Sequence, residues 1–242
     1  MRYWLVMPAA GSGSRFGGAL PKQYAPLAGR TVIEWALAPF VADVRCARIV
    51  VALAAGDCRF AGLALAGRTL TVAGGATRSG SVRSALSALA GSAADEDWVL
   101  VHDAARPCLD TAELERLLAT LAGHPVGGLL AVRVSDTIKR GVGKEESAPV
   151  AQTVERAELW RALTPQMFRY RALCEALDAA HAAGRVPSDE SQALEWRGAT
   201  PQLVAGEASN LKMTTATDLQ LAEAILRARA RRRSFDASRQ RL

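Results

Sequence analysis

The residues between Pro8 and Tyr24 have the types that handle phosphate. The segment reads Pro8-Ala9-Ala10-Gly11-Ser12-Gly13-Ser14-Arg15-Phe16-Gly17-Gly18-Ala19-Leu20-Pro21-Lys22-Gln23-Tyr24. Small side chains let backbone N–H groups approach phosphate oxygens closely. Arg15 and Lys22 add two cations to the same stretch, which suits a triphosphate. Three other readings compete. A Walker A loop would end in Gly-Lys-Ser/Thr, and this one does not. A dinucleotide fingerprint needs G-x-G-x-x-G. Gly11, Gly13 and Gly17 are spaced one residue too widely for it, although Glu34 stands at a fitting distance for a ribose acid. A plain surface turn explains the glycines but not the two cations.

Asp103 marks a second candidate segment. It follows the apolar run Trp98-Val99-Leu100-Val101, so a strand there would deliver its carboxylate to the carboxyl edge of a sheet. Such a carboxylate can bind Mg²⁺, a hard cation that takes oxygen ligands and keeps several waters. Its structural alternative is an Asp that caps the next turn. His102 points to the opposite face by strand alternation and is read as structural. Arg106 either orients this loop or pairs with Asp103. Lys212 lies between a strand and the last helix, where a lone lysine is ordinarily solvated.

The elements that must hold these groups alternate in type. Tyr3 to Met7, Arg48 to Leu53, Leu70 to Val72, Trp98 to Val101 and Gly127 to Val134 read as strands. Val32, Ile33, Ala36, Leu37 and Phe40 mark a helix over 31–40. Val82, Ala85, Leu86 and Leu89 mark another at i, i+3, i+4, i+7. Asp110 with Glu113 has capping-box spacing ahead of Leu114, Leu117, Leu118 and Leu121. Helices are also predicted at 156–163 and 170–183, with a strand at Gln202 to Val204. A last helix starts near Thr215, with Asp218 three residues on, and is expected to bury Leu221, Ala224, Ile225 and Ala228. The pattern predicts an α/β layer fold with a mainly parallel sheet. Residues 135–155 break it. They are polar, carry Gly141, Gly143 and Pro149, and have extended ends, which fits a projecting arm. With no repeat and no linker, the 242 residues read as one domain with an arm and a basic tail over 227–242.

Composition narrows the class. No apolar run approaches the ~18 residues that cross a bilayer, and the N-terminus lacks a signal-peptide pattern, so a cytoplasmic protein is expected. Cys46, Cys58, Cys108 and Cys174 show no metal-ligand spacing. The net charge of +6 lies entirely in the last sixteen residues, which hold seven Arg and one Asp, and residues 1–226 are neutral in sum. The folded body is therefore not a basic nucleic-acid surface.

Taken in order, the segments resemble the 2-C-methyl-D-erythritol 4-phosphate cytidylyltransferase family of the non-mevalonate isoprenoid pathway. The resemblance rests on P-A-A-G-x-G-x-R with P-K-Q-Y and on Gly74-Gly75 with Arg78 and Ser81-Val82. It continues through Val101-His102-Asp103-Ala104-Ala105-Arg106-Pro107, Asp136-Thr137-Ile138-Lys139-Arg140 and Thr153-Val154 with Arg156. Leu163-Thr164-Pro165-Gln166, Asp189-Glu190 and Asn210-Leu211-Lys212-Met213-Thr214 complete it. It runs from about Val6 to Leu226. Phe16 and Ala76 depart from residues seen in relatives, and the tail lies outside the pattern.

The resemblance implies a Rossmann-like nucleotidyltransferase fold and attack by an acceptor phosphate on the α-phosphorus of CTP, with Mg²⁺ or a similar ion. It implies catalytic roles for Arg15, Lys22, Arg156 and Lys212. Nucleotide contacts would come from Ala9, Ala10, Gly11, Ser12, Gly13, Gly75, Ala76, Ser81 and Ala104. Contacts to a sugar-alcohol phosphate would come from Asp103, Arg106, Thr137, Arg156, Thr164, Asp189 and Lys212. It also implies a homodimer with exchanged arms. A cytidylyltransferase for ribitol 5-phosphate, a nucleic-acid binder using the Arg tail and an NAD-dependent oxidoreductase remain as alternatives.

Overall fold

The computed structural model describes residues 1–11, 20–143 and 147–239. The chain opens with β1 (Tyr3–Ala9) and resumes at a single 3₁₀ turn, Lys22–Tyr24. A two-residue hairpin follows, β2 (Pro26–Leu27) and β3 (Arg30–Thr31), and then α1 (Val32–Ala42). Thr31 and Glu34 form a capping box at the start of α1. The Glu34 carboxylate accepts the Thr31 N–H at 2.8 Å and the Thr31 hydroxyl at 2.7 Å, which commits it to the cap rather than to a ribose.

Next come β4 (Cys46–Leu53), β5 (Thr69–Ala73), α2 (Arg78–Ser87), β6 (Trp98–Val101), α3 (Thr111–Leu121) and β7 (Gly127–Arg133). The second half holds β8 (Ile138–Gly141), β9 (Val150–Val154), β10 (Trp160–Arg169), α4 (Tyr170–Ala182), α5 (Glu190–Glu195), β11 (Gln202–Ala205) and α6 (Ala216–Arg239). Seven strands make one sheet in the order β11-β7-β10-β6-β1-β4-β5. β10 runs antiparallel to both neighbours, and every other pair is parallel.

Strand alternation divides the core. Leu5 and Met7 face α1 and α3, packing with Ile33, Leu37, Phe40 and Leu117. Trp4 and Val6 face α2 and α4, packing with Val82, Leu86, Leu173 and Leu177. From β1 the chain winds outward to β4 and β5 and then returns to β6 on the other side. The β1/β6 boundary is thus the switch point whose carboxyl edge opens a crevice.

Two expectations are corrected. No helix forms over 156–163, where β10 begins instead. Its pairing with β7 shifts register between Ala162 and Gln166, and Pro165 sits in that gap. A proline has no N–H for a ladder, so it is tolerated in a central strand only at such an irregularity. In α6, Leu221 is 54% exposed, and Ala222 and Leu226 are buried in its place. These two pack with Ala25, Leu27, Val32, Cys108 and Met213. Ala224 and Ala228 are exposed as well, while Ile225 is half-buried.

Among the described residues β8 and β9 pair only with each other, antiparallel. Val142 and Val150 on this hairpin are 59% and 62% exposed.

Candidate active site

Ala9, the last residue of β1, and the following Ala10 and Gly11 form one wall of a cleft at the switch point, and Gly75, Ala76 and Thr77 form the facing wall. The walls approach closely because of Gly74. A Cβ there would sit 2.4 Å from the Ala10 Cβ and 2.9 Å from the Ser81 Oγ. Thr77 caps α2 by accepting the Gly80 N–H at 3.0 Å. The Ser81 hydroxyl accepts the Gly75 N–H at 3.1 Å and donates to the Thr77 carbonyl at 3.0 Å. This rigid, small-residue slot can receive a planar base through backbone groups.

Lys22 and Lys212 reach the same cleft from opposite ends of the chain. Gln23 donates to the Ala9 carbonyl at 2.9 Å, which ties the 3₁₀ turn of Lys22 to the end of β1. The Lys22 Nζ donates to the Met213 carbonyl at 3.0 Å. Lys212 lies on the segment between β11 and α6. Asp218 holds the α6 end of that segment by accepting the Thr214 and Thr215 N–H groups at 2.7 and 2.8 Å.

Asp103 forms the cleft floor. Its Oδ1 accepts the Arg78 Nε–H at 2.8 Å, and its Oδ2 meets the Lys212 Nζ at 2.7 Å. Burial alone would raise its pKa. The charges of Arg78 and then Lys212 outweigh burial and hold the carboxyl far below the usual carboxylate range. Among the described residues no three His, Cys, Asp or Glu side chains gather as a closed metal site. Asp103, the one carboxylate among the described residues that line the cleft, suits Mg²⁺, which commonly takes one or two carboxylates and completes its shell with waters and ligand oxygens.

His102 is fully buried behind this floor. Its Nε2 lies 3.1 Å from the Arg106 carbonyl, which can only accept, so Nε2 carries the proton. Nδ1 then accepts the Thr164 hydroxyl at 2.9 Å, while the same hydroxyl oxygen receives the Asp103 N–H at 3.1 Å. Burial pushes the His102 pKa down to about 4 from 6.5. Between those values the unfolded chain binds a proton that the native chain refuses, so stability falls as pH drops through this window. His102→Asn removes that titration. The stability advantage of wild type over the variant is expected to shrink between pH 6.5 and pH 4 in denaturant unfolding. A constant gap would mean that His102 is not held neutral.

Three other predicted site residues stand behind the cleft without lining it. Arg106 is buried and donates to the Asn210 carbonyl at 2.6 Å and the Ala162 carbonyl at 3.4 Å. Its Nε, 3.9 Å from Asp103 Oδ2, has no hydrogen-bond partner among the described residues. Thr164 is committed to His102 and Asp103. Asp189 caps α5 through the Gln192 N–H at 2.9 Å and accepts the Gln166 side-chain amide at 3.0 Å. Thr137 and Arg156 are exposed at the base of the β8–β9 hairpin, away from the cleft lining. Ser12, Gly13 and Arg15 lie outside the described residues. Ala104 lines the cleft as expected.

Sequence reasoning counted Arg78 and Glu190 among the matching motifs but gave neither a role in the site. Arg78 is the first residue of α2, where a cation opposes the helix dipole. That misplaced charge was the available signal.

The family model described as "IspD: 2-C-methyl-D-erythritol 4-phosphate cytidylyltransferase" matches residues 3–228. The chain belongs to that family. It is 52% identical over 233 residues to the 2-C-methyl-D-erythritol 4-phosphate cytidylyltransferase of Halorhodospira halophila, covering 94% of this chain and 95% of the relative. It is 50% identical to the Dechloromonas aromatica protein of the same name, covering 94% and 99%. A crystal structure of a 4-diphosphocytidyl-2C-methyl-D-erythritol synthase superposes with a TM-score of 0.79 at 35% identity, covering 93% of this chain and 98% of that one. Among the described residues no helix is long and apolar enough to cross a membrane.

Proposed function

We propose that this chain transfers CMP from CTP to 2-C-methyl-D-erythritol 4-phosphate, yielding 4-diphosphocytidyl-2-C-methyl-D-erythritol and pyrophosphate. One observation carries the reading beside family membership. Two lysines and a cation-clamped aspartate converge on a cleft whose other end is a small-residue slot.

In this reading Ala9, Ala10, Gly75, Ala76 and Ser81 receive the cytosine, and Gly11, Ser12, Gly13 and Ala104 border the ribose and phosphates. A phosphate oxygen of the acceptor attacks the α-phosphorus in line. The bond from that phosphorus to the bridging oxygen breaks, and pyrophosphate leaves with the electron pair. The acceptor phosphate is already ionised near neutral pH, so no general base is needed, consistent with a buried neutral His102. Arg15 and Lys22 offset charge on the triphosphate, and Lys212 does so at the α-phosphate and acceptor. Asp103 would hold Mg²⁺, which supplies further charge neutralisation at the phosphates. Arg106, Thr164 and Asp189 support the acceptor end from behind.

In the same reading, further contacts to the acceptor phosphate come from outside the cleft lining. A two-fold dimer would bring one cation, the partner subunit's Arg156, together with a hydroxyl, the partner subunit's Thr137. The hairpin's exposed Val142 and Val150 favour a second copy of the chain as cover.

Pyrophosphate release with methylerythritol phosphate tests the nucleotide. CTP is expected to be turned over at least ~10²-fold better than UTP, ATP or GTP, because a slot built of backbone donors and acceptors rejects the wrong base edge. Equal rates with UTP would contradict the assignment of the slot.

A further inference from the structure

Glu190 has no exposed surface and lines no part of the cleft, yet it is bonded into the cleft floor. Its Oε1 and Oε2 accept NH1 and NH2 of Arg78 at 2.7 and 3.0 Å in a two-pronged pair. The third donor of Arg78, Nε, is the one that holds Asp103 Oδ1. Asp103 Oδ2 meets Lys212 at 2.7 Å, with the Arg106 Nε farther off at 3.9 Å. Four charges therefore run in alternation from Glu190 through Arg78 and Asp103 to Lys212.

Glu190 is itself fixed on both sides. Gln166, buried in β10, donates to Asp189 and accepts the Ser191 N–H at 2.9 Å. Each part of this arrangement carries a cost. A buried carboxylate loses hydration, and an arginine at the start of a helix opposes the dipole. A buried pair of this kind is weak evidence of stability, but it fixes geometry well, because a guanidinium fork leaves a carboxylate little angular freedom.

We propose that Glu190 is a positioning residue for the transfer reaction, acting through Arg78 to aim the Asp103 carboxylate into the cleft with Oδ2 toward Lys212. This rests on the assignment of Asp103 to the reaction centre. Without the Glu190 charge, Arg78 turns its whole fork onto the nearest remaining anion. It then takes both Asp103 oxygens and displaces Lys212. The nucleotide slot, built from other residues, keeps its shape.

The test is a double-mutant cycle on the full chain with CTP and methylerythritol phosphate. Glu190→Gln is expected to lower kcat about 10²-fold, the scale of a misplaced reacting group, with KM for CTP within about threefold of wild type. Asp103→Asn/Glu190→Gln is expected to be no worse than Asp103→Asn alone, because one pathway is broken only once. A purely structural Glu190 would lower the melting temperature and multiply the losses. Arg78→Lys, which keeps charge but loses the fork, is the second arm and covers a Glu190→Gln protein that fails to fold. It too is expected to add nothing to Asp103→Asn. Independent, multiplicative losses in either cycle overturn the proposal. Wild-type turnover in Asp103→Asn would instead overturn the assignment of Asp103 itself.

Discussion

Lys22→Ala is expected to lower kcat by about 10²- to 10³-fold while KM for CTP changes only severalfold. The lysine stands on a turn that Gln23 pins to the end of β1, and its ammonium is held at the Met213 carbonyl beside the cleft. Its charge is most useful where charge builds, at the oxygen that leaves with pyrophosphate. Interactions that strengthen in the transition state raise kcat, whereas those equal in both states lower only KM. Steady-state kinetics at saturating acceptor read the split. A rise in KM with kcat unchanged would make Lys22 a uniform binder of the triphosphate.

The second large effect is recovery of activity in mixed dimers. Lys22→Ala damages the cleft of its own subunit, and Arg156→Ala damages the arm. If arms are exchanged, each pure variant dimer is nearly inactive. A mixed dimer holds one site with both lesions and one with neither, so it should reach about half the wild-type rate when sites act independently. The structural motive is the placement of Arg156. Among the described residues its guanidinium bonds to the Ser135 carbonyl within the hairpin base and does not line the cleft of its own chain. Co-expressed, tag-purified mixed dimers are the material. Inactive mixed dimers would place Arg156 in its own subunit's site or outside the reaction.

Much of this architecture could be read from local pattern. α1, α2 and α3 bury the faces their periodicity predicts. Asp103 stands where the strand Trp98–Val101 would deliver it. His102 lies behind the floor as alternation requires. Misreadings arose where tertiary contacts overrode periodicity. β10 was missed because Pro165 interrupts a run whose apolar spacing also suits a helix. The face of α6 was misjudged because alanines fit either side of a helix. Its rotation is set instead by Arg229, which donates to the Cys108 carbonyl at 2.8 Å and to Ser209 at 3.0 Å. Glu190 and Arg78 are 112 residues apart, and no local signal announces their pairing. Thr164 and Asp189 matched a family pattern, but sequence could not show that their polar atoms are spent on His102, Gln166 and the α5 cap.

The most direct test of the central claim is the choice of acceptor. With CTP saturating, kcat/KM for 2-C-methyl-D-erythritol 4-phosphate is expected to exceed that for ribitol 5-phosphate by about 10²-fold or more, since both present a phosphate and only the remaining hydroxyls and methyl group distinguish them. The product should be 4-diphosphocytidyl-2-C-methyl-D-erythritol, formed one-to-one with pyrophosphate. Equal use of the two acceptors, or preference for ribitol 5-phosphate, would contradict the assignment.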